Sequence, residues 1–258
     1  MRIEEASHAF VTGGASGIGL GIADALAGRG VAVTMADINE DALVKVVAER
    51  GDRFRGTLLD TRDRKGWKRA KSDAEAAFGP VDILVNNAGI APDGKHMADA
   101  DPESFDRVVA INLTGVFNGI STFGADIRSL GRGHIVNTSS MSGMVMDGPG
   151  LGPYGASKAG VIAISEVLRM EMEPHGVGVS VLCPSYVATN LMANTLRAGG
   201  ELSNPEATLL GAEMKPPEVG QMVLRGIEEN RPYIFTHAAR REAVEVRYAD
   251  IMASFDAM

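Results

Sequence analysis

Short apolar runs alternate with helix-spaced stretches along this chain, and that alternation limits the fold more than any other feature. His8–Thr12, Val31–Ala36, Thr57–Leu59, Val81–Asn86, His134–Thr138, Val177–Leu182 and Tyr233–Thr236 read as strands. Gly17–Arg29, Glu40–Arg50, Arg64–Phe78, Pro102–Leu130 and Tyr154–Glu173 read as the helices between them. Strands that are apolar on both faces and separated by helices imply a parallel sheet covered on both sides, with right-handed crossovers. The expectation is one α/β domain over residues 1–258, a doubly wound parallel sheet of about seven strands with helices on both faces. Residues 190–217 break the rhythm with Gly199, Gly200, Pro205, Pro216 and Pro217, and such a stretch in a compact domain is expected to be a substrate lid.

Composition narrows the partners. A net charge of −8 argues against nucleic acid, whose phosphates need a basic face. A small phosphate-bearing ligand stays open, because backbone amides can hold it. There is no apolar run of ~18 residues, so no membrane span is expected. The start, with Glu4 and Glu5, does not read as a secretory signal. The single cysteine, Cys183, cannot form an internal disulfide, and a cytoplasmic location is the expectation. His8, His96, His134, His175 and His237 are scattered without ligand spacing, so no metal is expected.

Glycine stands well above its usual ~7%, at 31 of 258 residues, with no repeat to absorb it. One cluster follows the first strand, in Thr12-Gly13-Gly14-Ala15-Ser16-Gly17-Ile18-Gly19. Residues without a Cβ permit a tight turn and let backbone approach a diphosphate, and the following helix offers free N–H groups and its positive dipole end. A plain glycine-rich turn is the alternative. Asp37 ends the second strand, 18 residues after Gly19, where a carboxylate can accept from adenosine ribose hydroxyls and repel a 2′-phosphate. No Arg or Lys lies in Gly13–Gly19, and Ile38 follows the acid, so the reading is NAD over NADP. The competing reading of Asp37 is a cap for the next helix. Asp60 and Thr61 end the third strand, and Asn87-Ala88-Gly89 follow the fourth. All of these emerge at carboxyl ends of strands, where open α/β sheets bind ligands.

Tyr154 and Lys158 are four residues apart and share one helical face. A phenol titrates near ~10, too high for an efficient base at neutrality, and a nearby ammonium lowers it. Such pairs are common on helices, and this one gains meaning from its company. Thr12–Gly19, Asn86–Gly89, Asn112, Ser139–Gly143 and Tyr154–Lys158 occur in the order of the short-chain dehydrogenase/reductase family, and the chain strongly resembles its ~250-residue Tyr-x-x-x-Lys branch from about Ala6 to Thr236. The resemblance implies a single-domain Rossmann-type fold and an NAD-dependent alcohol dehydrogenase or ketone reductase. It implies Tyr154 as general acid/base and Lys158 as the group that lowers its pKa and binds the nicotinamide ribose. It implies Ser140 as hydrogen-bond donor to the substrate oxygen. It implies Asn112 as holder of a water that relays protons from Lys158.

Two departures bear on these assignments. Ser139, Ser140 and Ser142 all compete for the serine role; alignment on Ser139–Gly143 selects Ser140, 14 residues before Tyr154 and one more than the commonest family spacing. The extra residue is placed in the Met146–Pro153 stretch, and Val145-Met146-Asp147 is a candidate to orient a polar group of the substrate. After the sixth strand the chain has Cys183-Pro184-Ser185-Tyr186-Val187-Ala188-Thr189 in place of the usual Pro-Gly. Pro184, Val187 and Thr189 still match positions that contact the nicotinamide half. Tyr186 either faces the substrate, the favoured reading, or packs under the lid.

The expected reaction is reversible NAD-dependent oxidation of a secondary alcohol to a ketone. Met141, Met144, Met146, Leu191, Met192, Leu196, Leu209, Leu210 and Met214 are candidates for an adaptable apolar pocket. A looser similarity is to bacterial dehydrogenases of bulky aromatic alcohols, including those of lignin-derived aryl ethers; steroid, polyol and hydroxyacyl substrates stay open. The competing readings are a non-catalytic NAD(H)-binding regulator and an epimerase or dehydratase on the same fold. Helix Tyr154–Glu173 carries small and apolar residues on two faces, and the family commonly forms tetramers this way, so a homotetramer or homodimer is expected.

Overall fold

Seven parallel strands form one sheet in the order β3-β2-β1-β4-β5-β6-β7 in the computed structural model, which describes residues 1–146, 148–202 and 214–256. The strands are β1 (His8–Thr12), β2 (Ala32–Asp37), β3 (Phe54–Leu58), β4 (Ile83–Asn86), β5 (Gly133–Thr138), β6 (Val177–Cys183) and β7 (Tyr233–Phe235). Every pairing is parallel; Ala9 of β1 lies beside Val33 of β2 on one side and Ile83 of β4 on the other. The order reverses between β1 and β4, and the carboxyl ends of those two strands open the crevice where doubly wound sheets hold their ligands.

Helices α1 (Gly17–Ala27), α2 (Glu40–Arg50), α3 (Arg64–Phe78), α4 (Pro102–Val109), α5 (Gly115–Ser129), α6 (Met141–Met144), α7 (Gly152–Met172), α8 (Leu191–Arg197), α9 (Pro216–Glu228) and α10 (Arg241–Asp256) complete the chain. Ile22 and Leu26 of α1, Leu43 of α2 and Val219 and Val223 of α9 pack with Val11, Val33 and Val85 on one face of the sheet. Trp67 of α3, Phe123 and Ile127 of α5 and Leu168 of α7 pack with Phe10, Leu84 and Ile135 on the other. Central strands are buried along their whole length, which is why their middles are apolar and the polar residues within them, such as His8 and His134, are buried.

Several boundaries differ from the sequence expectation for identifiable reasons. β3 begins at Phe54 rather than Thr57, because this edge strand is only partly covered and carries Arg55 and Gly56 within the ladder. β2 starts at Ala32, one residue later than expected, and Asp37 is its last residue, as read from the sequence. The single long helix expected at Pro102–Leu130 is α4 and α5 joined by one widened π turn at Ala110–Thr114, which carries Asn112. On length and composition the run Pro102–Ser129 would suffice to cross a membrane, since an 18-residue window within it has mean hydropathy 1.3, yet half of that window is buried inside the domain. The segment expected to be a lid contains α8 and ends in α9; residues 203–213, with Leu209 and Leu210, and Asp147 lie outside the described residues.

Candidate active site

The turn after β1 is built by backbone geometry. Gly13 and Gly17 adopt φ of 63° and 53°, a region that side-chain-bearing residues avoid. A Cβ on Gly19 would overlap the carbonyl oxygen of Gly13, so the helix can start this close to the strand only with glycine there. Ser16 stands at the N-cap of α1 in extended conformation, but its side chain makes no capping bond. The first N–H groups of α1 therefore face the cleft without an internal partner, as an anion site requires.

Thr12, Asn87 and Thr138 tie the strand ends together. The Thr12 hydroxyl accepts from the backbone N–H of Asn87 at 2.9 Å and of Ala88 at 3.1 Å, and the Asn87 amide donates to the Thr12 carbonyl at 3.1 Å. Asp37 is 9% exposed. One carboxylate oxygen accepts from Ala15 N–H at 3.1 Å in the glycine turn, and the other from Asn39 N–H at 3.0 Å. The cap of α2 is Asn39, whose side chain accepts from Ala42 N–H, so Asp37 is not that helix's cap. Ile38, Asp60 and Thr61 line the same small hollow as Asp37, next to Gly13, Ala88 and Gly89. Arg62 lines it too, and sequence reasoning missed it. Its guanidinium grips Asp60 through two nitrogens, at 2.7 Å and 3.0 Å. That pair holds the Asp60 carboxyl below its ordinary value.

The hollow adjoins a cleft of about 450 Å³. Gly13, Ser16, Gly17 and Ile18 line one end. Ser140, Tyr154, Lys158, Pro184, Val187 and Thr189 line the other. Gly19 lies outside the lining and acts through the turn it allows. Ser140 caps α6, its hydroxyl accepting from Ser142 N–H at 3.1 Å, and it hydrogen-bonds the Tyr154 phenol. Ser139 instead donates to the Lys158 carbonyl at 2.7 Å, which turns its hydroxyl into α7. Of the three serines, Ser140 is the one brought to the phenol.

Lys158 is 3% exposed, and its ammonium donates to the Thr138 carbonyl at 2.9 Å. Burial lowers its pKa to about 8, offset in part by the nearby Cys183 thiol, which burial itself pushes up to about 12. The ammonium lies 5.7 Å from the centre of the Tyr154 ring. The sequence expectation is a Tyr154 phenol lowered by this cation; on balance the phenol is raised instead. Burial raises the phenol, and the hydrogen bond from Ser140 draws it part of the way back. Asn112 is fully buried behind the cleft and does not line it. Its side chain is committed to Ile90, accepting from that residue's N–H at 2.8 Å and donating to its carbonyl at 3.0 Å. The amide thus positions the loop after β4 and has little capacity left for a water.

The expected apolar pocket residues divide. Met141, Leu191 and Met192 line the cleft together with Tyr186. Met144 packs into a buried cluster with Ile162 and Val181, and Met214, bridged to Val187, packs against the main core cluster. Met146 and Leu196 are exposed outside the lining. Asp93, Asn194 and Arg240 also reach the cleft, and no local pattern marks them, because they come from three loops and helices far apart in sequence.

A family model described as short chain dehydrogenase matches residues 7–199. The C alpha-dehydrogenase of Sphingobium sp. is 34% identical over 95% of this chain and 85% of its own. The NADP-dependent (R)-specific alcohol dehydrogenase of Lentilactobacillus kefiri is 34% identical over 82% of this chain and 85% of its own. A solved short-chain dehydrogenase/reductase from Burkholderia phymatum, in complex with NAD, superposes with a TM-score of 0.89 at 28% identity, covering 98% of this chain and 97% of that one.

Proposed function

The chain belongs to the short-chain dehydrogenase/reductase family of nicotinamide-dependent oxidoreductases, and on that premise we propose that it oxidises a bulky, aromatic secondary alcohol to the ketone with NAD. The observation that carries the reading is the meeting of Ser140, Tyr154 and Lys158 on the wall of a cleft that runs back to the uncapped start of α1.

The residues present fit a dinucleotide. The glycine turn and the free N–H groups of α1 suit the diphosphate. Asp37 retains lone pairs beyond those used by Ala15 and Asn39, and these suit the adenosine ribose hydroxyls. Ile38, Asp60 and Thr61, which line the small hollow, would border the adenine; Asn87, Ala88 and Gly89 would floor the middle; and Pro184, Val187 and Thr189, which line the cleft, would flank the nicotinamide. The bound nicotinamide supplies the hydride acceptor.

The protein supplies position and proton transfer. Ser140 donates to the substrate oxygen and fixes the carbinol beside Tyr154. The Tyr154 oxygen takes the hydroxyl proton as the carbonyl forms, and returns it in the reverse direction. Because burial raises the phenol, the phenolate depends on Ser140 and on the Lys158 charge. With the Asn112 side chain spent on Ile90, a relay water at that turn rests on the main-chain carbonyl. Val167 and Met170 on α7 and Phe117 on α5 are large apolar residues left exposed, which pairing of copies of the chain through these helices would cover.

Cofactor choice rests on Asp37 and on Arg62 being held by Asp60. With benzylic secondary alcohols, wild-type kcat/KM is expected to favour NAD over NADP. Asp37→Ser is expected to lower kcat/KM for NAD by about 10- to 100-fold, the worth of charge-assisted hydrogen bonds, while use of NADP rises. Initial rates with both cofactors, alongside thermal midpoints as a folding control, decide this. Equal use of both cofactors by the wild type would remove NAD from the proposal, and no turnover of any alcohol would remove the reaction.

A further inference from the structure

The turn after β3 places a charged pair, Asp60 and Arg62, on the wall of the small hollow beside Asp37. Asp60 Oδ1 accepts from the Arg62 backbone N–H at 2.9 Å and from its Nε at 3.0 Å. Oδ2 accepts from the same Nε at 3.1 Å and from Nη2 at 2.7 Å. A carboxylate offers about four lone-pair sites, and these four contacts occupy them. An amino group entering the hollow therefore finds no free acceptor on Asp60.

The turn itself is rigid. The Thr61 carbonyl accepts from Trp67 Nε1 and from the Asn118 amide, each at 2.9 Å, and Asp63 N–H closes on the Asp60 carbonyl at 2.9 Å. Arg64 is drawn away, its Nε donating to the Asn118 side chain at 3.0 Å. Among the described residues that line the hollow, Arg62 is the only cation. A long arginine normally loses rotamer freedom when a ligand orders it, and here Asp60 has already removed that freedom. The result is a flat, exposed guanidinium whose charge is matched by its own carboxylate. Such a group suits the face of an aromatic ring better than it suits a phosphate. The neighbouring wall is apolar, with Ile111 and Ala198 beside Ile38, which is 40% exposed and would be covered by a flat base.

We propose that Arg62, held flat by Asp60, stacks on the purine of the dinucleotide, so that the base is gripped by its face and its amino group goes unread. This deepens the proposed nicotinamide site and rests on it. Stacking is tolerant of base identity, because every base has a π-face. The chain is therefore expected to accept a dinucleotide in which hypoxanthine replaces adenine.

The test titrates NADH and reduced nicotinamide hypoxanthine dinucleotide into wild type, Arg62→Lys, Arg62→Tyr and Asp60→Ala. Binding is read from nicotinamide fluorescence, and thermal midpoints confirm that each variant is folded. The wild type is expected to bind the two dinucleotides within about threefold of each other, since Asp60 has no acceptor to offer the amine. Arg62→Lys keeps the charge and loses the plane, and should weaken both by about 5- to 30-fold, the worth of one stacked base. Arg62→Tyr restores a plane without the charge and should recover most of that loss. Asp60→Ala releases the guanidinium and should weaken both dinucleotides by the same factor. An Arg62→Lys protein that binds NADH as the wild type does overturns the proposal. So does a wild type that favours NADH by about tenfold or more and loses that preference in Asp60→Ala, because the carboxylate would then be reading the amine; NADH binding itself would still stand. A wild type that binds neither dinucleotide overturns the nicotinamide site and the stacking together.

Discussion

Tyr154→Phe is expected to lower kcat for alcohol oxidation by about a thousandfold or more while leaving NADH affinity within about twofold. The change deletes one oxygen from a partly buried ring and keeps the ring's packing at the start of α7. What it removes is the atom that exchanges a proton with the substrate. The Ser140 hydroxyl loses its phenol partner but keeps the bond from Ser142 N–H, so the loop after β5 has no reason to move. NADH titration followed by calorimetry, and stopped-flow turnover with a benzylic alcohol, measure the two halves separately. Residual activity near wild type would remove Tyr154 from the chemistry. Loss of NADH binding would show that the variant acts through the fold.

Lys158→Met is expected to separate activity from stability in a second way. Turnover should fall by about a thousandfold, because the phenolate loses its cation and the nucleotide loses a donor. Stability near neutral pH should stay within about 1 kcal/mol, since exchanging a buried charge for an apolar side chain of similar length is often neutral or better. The Lys158 pKa is about 8 in the fold against an ordinary value of 10.5. The unfolded chain therefore holds its proton over a range where the folded chain has released it. In that window the unfolded state binds more protons, so this group makes wild-type stability rise with pH from about 8 to 10.5. Relative to wild type, Lys158→Met should be most favoured below that window and lose its advantage across it. Chemical denaturation of both proteins at several pH values reads the difference. A variant gap that is flat across the window would show that the buried lysine is not held below its ordinary value.

Much of this was legible before any coordinates. Parallel strands buried on both faces must be nearly continuous apolar runs, and β1, β4, β5 and β6 are. The glycine turn was legible because glycine adopts the φ of Gly13 and Gly17 without the cost a Cβ brings, and the packing at Gly19 leaves no room for a Cβ at all. Other features were hidden for physical reasons. β3 is an edge strand with one face half open, so its pattern does not stand out. Helix α10 has no buried residue, and so leaves no apolar stripe of the usual kind. The choice among Ser139, Ser140 and Ser142 depends on which hydroxyl the turn into α6 aims at Tyr154. The fate of the Tyr154 phenol was misread, because four-residue spacing places Lys158 near the ring but does not reveal that burial outweighs its charge.

The measurement that tests the central claim most directly follows the hydrogen on the carbinol carbon. A benzylic secondary alcohol deuterated at that carbon is incubated with the protein and NAD, and the reduced cofactor and organic product are analysed by mass spectrometry. The expected result is a ketone free of deuterium and NADH that carries it, formed in equal amounts. Deuterium washed into water, or an alcohol recovered unchanged beside tightly bound NAD, would contradict the account.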